Sequence, residues 1–176
     1  MLPSETIISF YTGDSKKSNR KLEDIWNFSD DELEGYHTYI QWLFPLEVPS
    51  AINFAAPVLD ETVIQKFRKS PELQAKLLTS FKMMLKFYGF QIVETGNEVK
   101  IIKSSDFLIK KENWISHRNH NYLRITRILT SLRLLGLENY SRAFFECLEQ
   151  IYSEESYEIG EETFSYWKNS QIPPQV

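Results

Sequence analysis

SPELQAKLLTSFKMMLKFYG, Ser70 to Gly89, decides the fold class. Ser70 offers a side-chain oxygen to the unpaired amides of a first helical turn, and Pro71 falls where a missing N–H does no harm. Leu73, Leu77, Phe81, Met84, Leu85 and Tyr88 then recur at spacings of three and four, one face of an α-helix. Gly89 stands where a helix stops in a left-handed residue. The same grammar extends outward. Asp60 caps a short helix with Val63, Ile64 and Phe67 inward. Ser29 and Glu32 form a capping box ahead of a helix on which Leu33, Tyr36, His37, Ile40 and Phe44 share one face, with Tyr39 and Trp42 opposite, until Pro45 ends it. Ser116 is expected to cap a long helix over 117–135, with Ile125, Ile128, Leu129, Leu132 and Leu135 inward and Gly136 as its stop. Asn139 is expected to cap a further helix to about Ser153, and 157–168 to form a last short one.

Between these, Ile92, Val93, Val99, Ile101 and Ile102 flank a Gly96-Asn97 turn and read as a β-hairpin within Gln91 to Lys103, which needs another surface to pack on. Residues 106–114 read as a short helix or turn. Leu46 to Leu59, edged by Pro45 and broken by Pro49 and Pro57, reads as an ordered crossing loop, because Ile52, Phe54, Ala55 and Ala56 are apolar. The expectation is a mainly α, single-domain helical bundle with one small β-hairpin: a domain over 1–168 and a frayed tail over 169–176.

Composition bounds the function. The chain has 176 residues and a net charge of −4, but Thr62 to Arg133 carries 14 basic and 5 acidic side chains, a local +9. A mild total therefore excludes no basic face. Cys147 is the single cysteine, so neither an intramolecular disulfide nor a cysteine-based zinc site is available, and its apolar neighbours make it a small buried hydrophobe. Met1 to Phe10 lacks the basic start and long apolar run of a secretory signal, and nothing approaches a membrane span. A soluble, cytoplasmic chain is expected.

Two segments mix polar groups densely with apolar ones: His37 to Pro45 and His117 to Arg127. His37 and Gln41 share one helix edge, and His120, Arg124 and Arg127 line another flank. Asn121 falls in the apolar stripe and needs partners there. One reading is an anion or carboxylate pocket, with Arg124 and Arg127 as planar donors oriented by His37, Gln41 and His120. The other is that these groups clamp helices through pairs with Asp30, Asp31, Glu34 or the acidic C-terminal third. His37, His117 and His120 do not match a recognisable metal site, and no phosphate loop, nucleophile elbow or Cys–His arrangement is present. No cofactor or metal is expected. The lysines near Phe81, Phe87 and Tyr88 read as a solvated helix face, with a nucleic-acid surface as the alternative.

His-x-Tyr-Ile-Gln-Trp-Leu-Phe-Pro at His37 to Pro45, followed by His-Asn-x-Leu-Arg-Ile-Thr-Arg-Ile-Leu at His120 to Leu129, resembles the conserved domain of the opioid growth factor receptor family. Phe10-Tyr11, Leu33-Glu34, Pro49-Ser50, Asn53, Met84 to Gly89 and Leu132 to Leu137 extend the resemblance over about 10–152. The family usually has Asp where this chain has Thr38, which puts any role of that acid in doubt here. The resemblance implies an intracellular receptor for an enkephalin-type peptide, associated in animal members with the nuclear envelope, so any membrane association would be peripheral. The combined expectation is a non-enzymatic binding module for a peptide or small anionic ligand, with His37, Tyr39, Gln41, Trp42, His120, Asn121, Arg124 and Arg127 as its site. Apolar contacts to the peptide would come from Tyr39, Trp42 and Tyr122. The alternatives are a nucleic-acid or nucleotide-binding regulator, or an enzyme using the His37, Gln41, His120, Arg124 cluster.

Overall fold

A computed structural model describes residues 5–14 and 20–173. Among these the order is α1 (Glu5–Thr12), α2 (Leu22–Trp26), α3 (Asp30–Gly35), α4 (Ile40–Leu43), α5 (Glu61–Lys69), α6 (Pro71–Tyr88), β1 (Phe90–Thr95), β2 (Glu98–Lys103), α7 (Phe107–Lys110), a 3-10 turn (Lys111–Asn113), α8 (Asn121–Leu134), α9 (Glu138–Ile159) and α10 (Glu161–Asn169). The fold is mainly α with one two-stranded antiparallel sheet.

The longer apolar stripes enclose the core. Leu73, Leu77, Phe81, Met84, Leu85 and Tyr88 of α6 are buried, as are Ile125, Ile128, Leu129 and Leu132 of α8. Phe81, Phe90 and Trp114 meet Phe144 or Tyr88 edge-on, the arrangement ring quadrupoles favour. Buried indole N–H groups are paired: Trp114 donates to Tyr88 O at 3.0 Å and Trp167 to Tyr122 O at 3.2 Å. Cys147 is buried among these elements, and that burial pushes its thiol pKa up to about 12. The hairpin pairs Phe90 with Lys103 and Thr95 with Glu98. It lies on α9, where Tyr140 donates to Glu94 and Lys103 pairs with Glu154.

Ser29, Asp60 and Ser70 cap their helices as the spacing predicts. Five other expectations are corrected. The helix expected from Asp30 to Phe44 is two helices, because Tyr36 is extended (φ −87°, ψ 132°) and the released carbonyls find partners on α8. The helix expected from His117 begins at Asn121. Arg118 is left-handed (φ 55°), and Asn119 Oδ1 accepts from Asn121 N–H at 2.9 Å, so the preceding residues form a turn. Asn139 is not a cap. Gly136 (φ 97°) closes α8, Leu137 N–H reaches Leu132 O, and α9 starts directly at Glu138, with Arg68 bridging Glu138 to the last carbonyls of α8. α9 then runs past Ser153 to Ile159, bending at Glu155, which Lys111 holds. The Leu46–Leu59 loop is not ordered by burying Ile52 and Phe54, which are 68% and 86% exposed. Polar bonds hold it instead: Ser50 Oγ accepts from Ile52 and Asn53 N–H, and Leu59 N–H donates to Leu46 O.

α1 and α2 precede the first helix start legible in the sequence. At the other end, Ser170 is buried and Gln171 Nε2 donates to Ser141 Oγ at 3.0 Å; residues 174–176 of the expected tail lie outside the described residues.

Candidate functional site

Breaking a helix at Gly35 exposes its last carbonyls, and burying them without donors would cost roughly 1–3 kcal/mol each. Arg124, only 5% exposed, supplies those donors. Its Nη1 donates to Leu33 O at 2.8 Å, and its Nη2 to Tyr36 O at 2.9 Å and Glu34 O at 3.3 Å. Tyr39 hydroxyl adds a bond to Leu33 O at 2.9 Å. The end of α4 is treated likewise: Arg127 Nη1 donates to Phe44 O and Ser131 Oγ to Pro45 O, both at 3.0 Å. The second motif therefore satisfies the irregular backbone of the first. This explains why two segments so far apart in sequence belong together. The acid pairs foreseen for these arginines are not what holds them; neutral carbonyls are.

Around Arg124 the network is closed. Asn121, fully buried, donates from Nδ2 to Glu34 at 3.0 Å and accepts at Oδ1 from Arg124 and Tyr88. Arginine only donates, so His37 Nδ1 accepts from Arg124 Nη2 at 3.3 Å, and a neutral His37 carries its proton on Nε2. His120 Nε2 lies 3.3 Å from Glu34. Burial lowers the His120 pKa, with Arg124 and His37 adding to the effect and Glu34 opposing it. His120 is thus a neutral donor to Glu34 near pH 7.

Beside this network lies a cavity of about 280 Å³. Ile40, Gln41 and Arg124 are buried in its wall, His37, Ile52, His120 and Leu123 are among its exposed residues, and Leu46, Thr126 and Arg127 are among those in between. Its walls are mostly apolar. Gln41, 4% exposed, donates from Nε2 to His37 O at 3.1 Å, while its Oε1 is buried without a partner among the described residues. Turning the amide over would set oxygen against the His37 carbonyl, so the unpaired atom is the acceptor. Among the described residues Arg127 makes one hydrogen bond, to Phe44 O, and its other donors have no partner; burial pulls its pKa down, but an arginine stays charged.

Of the residues singled out in the sequence, His37, Gln41, His120, Arg124 and Arg127 meet at this cavity. Tyr39 packs in the core, Trp42 sits against Phe10 with ring centres 5.3 Å apart, and Asn121 braces Glu34. Tyr122 packs on Trp167 instead. Thr38 is exposed and contributes its carbonyl to Asn53 Nδ2 at 3.2 Å. Sequence reasoning missed Leu123, whereas Glu34, foreseen as a partner of this flank, does pair with Asn121 and His120. Leu123 was findable, since residues 120, 123, 124 and 127 make one helical stripe; Ser50 to Ile52, on a loop, carry no periodic signal. A larger groove of about 710 Å³ between α5, α6 and α1 is wide open and edged by Glu61, Lys66 and Lys69, and among the described residues it has no comparable unpaired buried group. Among the described residues, no group of three His, Cys, Asp or Glu side chains is placed to hold a metal ion.

Fold and site together define a mainly helical domain in which two motif segments share one interface and one cavity. The chain belongs to the opioid growth factor receptor family: residues 6–172 match the family described as the opioid growth factor receptor conserved region. It is 39% identical over 138 residues to the rat opioid growth factor receptor, covering 76% of this chain and 23% of that protein. Against the human opioid growth factor receptor it is 39% identical over 122 residues, covering 68% of this chain and 18% of the relative. Against the rat opioid growth factor receptor-like protein 1 the identity is 40% over 116 residues, 65% of this chain and 24% of the relative. The chain thus spans less than a quarter of the length of these curated relatives. No solved structure matches it.

Proposed function

We propose that this chain is a non-enzymatic binding module that takes a peptide in the cavity between its two motif segments. The observation that carries the reading is Gln41 Oε1, a buried acceptor without a donor among the described residues, in the wall of an apolar cavity. Unpaired buried polar groups are rare, and one set in the wall of a cavity marks a place where a donor from a ligand or a water completes the wall. A carboxylate has no proton to give, whereas a peptide offers a main-chain N–H to Gln41, a carbonyl to Arg127 and an apolar side chain to Ile40 and Leu46. The name of the relatives, receptors of an opioid growth factor, favours the same class of ligand. Arg124 is a brace in this reading, with its donors directed at backbone and not at ligand.

Titration calorimetry with enkephalin-type peptides and with pooled linear hexapeptides tests it. Wild type should bind, and Gln41→Leu should bind at least about tenfold more weakly, the worth of a buried hydrogen bond. Its melting temperature should hold, since the substitution also removes an unsatisfied polar atom. The absence of binding by wild type to every peptide tried would remove the reading.

A further inference from the structure

We infer that the peptide is held extended across two cavities separated by Leu123, and that an acidic group on it is taken by Arg118. This rests on the peptide reading of the first cavity and names the chemistry of its ligand. A second cavity of about 340 Å³ adjoins the first and shares His120, Leu123 and Thr126 with it. Leu123, 64% exposed, is the apolar ridge between them. Ile52, 68% exposed, edges the first cavity, and Tyr166, 51% exposed, edges the second. Apolar groups left in water around two adjoining cavities mark a contact surface. In an extended peptide, side chains two residues apart point the same way and stand about 7 Å from each other. Two of them can therefore enter cavities that lie one leucine apart.

Arg118 supplies the charge. It lines the second cavity in a left-handed conformation (φ 55°) that a side chain of its kind rarely adopts, and its guanidinium has no partner among the described residues. The turn is fixed by Asn119, whose Nδ2 donates to Asn113 O at 3.3 Å and Ser116 Oγ at 3.0 Å. The same cavity opens at the first turn of α8, where the helix dipole favours negative charge. Glu162 lies in the opposite sense within this lining, engaged with Tyr166 hydroxyl at 3.4 Å, so an incoming carboxylate belongs on the Arg118 side.

Two pools of blocked linear hexapeptides distinguish the possibilities, each apolar at two positions two residues apart and ending in aspartate or in asparagine. In fluorescence polarisation, wild type should prefer the aspartate pool by about tenfold, typical of a charge-assisted hydrogen bond. Arg118→Gln should erase that preference while both pools still bind, and Arg118→Gly, which suits the left-handed turn, should do the same with the fold secured. Leu123→Asp should weaken the aspartate pool further. Equal affinity of wild type for the two pools, or a preference that survives in Arg118→Gly, overturns the crossing. If Gln41→Leu still weakens binding at least about tenfold in that case, the first cavity stands as the site alone. No binding of either pool by wild type overturns both.

Discussion

At His120 a single ring reports the state of the whole site. Its pKa lies below the ordinary 6.5, because burial and the neighbouring Arg124 and His37 disfavour the charged form more than Glu34 favours it. The unfolded chain therefore takes up the proton first. The contribution to stability is fully present above pH 6.5 and is lost as pH falls from 6.5 toward the lower folded value, levelling off beneath it. We expect the melting temperature to drop between about pH 7.5 and about pH 5.5, across the unperturbed histidine range. The drop should be smaller in His120→Gln, and identical pH responses in the two proteins would show that the proton goes elsewhere.

The element that most needs explanation is the broken helix formed by α3 and α4. Arg124 satisfies three carbonyls at the break and touches Tyr39 and Asn121 as well. Arg124→Lys keeps the charge but loses the planar fork, so it cannot reach both ends of the break. We expect it to cost more than about 2 kcal/mol in denaturant unfolding, from buried carbonyls left without donors. A variant as stable as wild type would mean that water replaces the fork. This element also marks the limit of what was legible. The spacing of Leu33, Tyr36, Ile40 and Phe44 fits a helix, and periodicity has no means of registering an arginine some 90 residues away that rewards breaking it. The start of α8 escaped for a related reason, since a left-handed Arg118 has no glycine to announce it. By contrast, α6 and the inward stripe of α8 were legible because burial alone decides them. Of the site, the residues now at the cavity announced themselves by polar density on a helical flank. Ser50 to Ile52 could not, because a loop held by Ser50 Oγ leaves no pattern.

Across the whole molecule the uneven charge of the sequence resolves into short-range pairing. Arg68 meets Glu138, Lys103 meets Glu154, Lys110 meets Asp30 and Lys111 meets Glu155, while Arg124, Arg127 and Arg133 donate to main-chain carbonyls. The acid-rich α9 thus lies against much of the basic middle of the chain. Lys66, Lys69, Lys82 and Lys86 remain exposed, in keeping with a solvated helix face.

The stitching of Leu33–Pro45 to α8 has a consequence for how the chain reaches this state. Residues 33 to 45 cannot complete their hydrogen bonding until residues 124 to 131 exist and have docked. During synthesis the first motif must wait, unsettled, for most of the domain to emerge. Loop closure over such a span is paid before any contact rewards it, which places this closure late in folding. We expect Tyr39→Phe, which removes the hydroxyl bond to Leu33, to accelerate unfolding and leave the refolding rate nearly unchanged. A slowed refolding limb would instead put the motif junction in the nucleus. On this account the two motifs mark the last seam to close and the first to open.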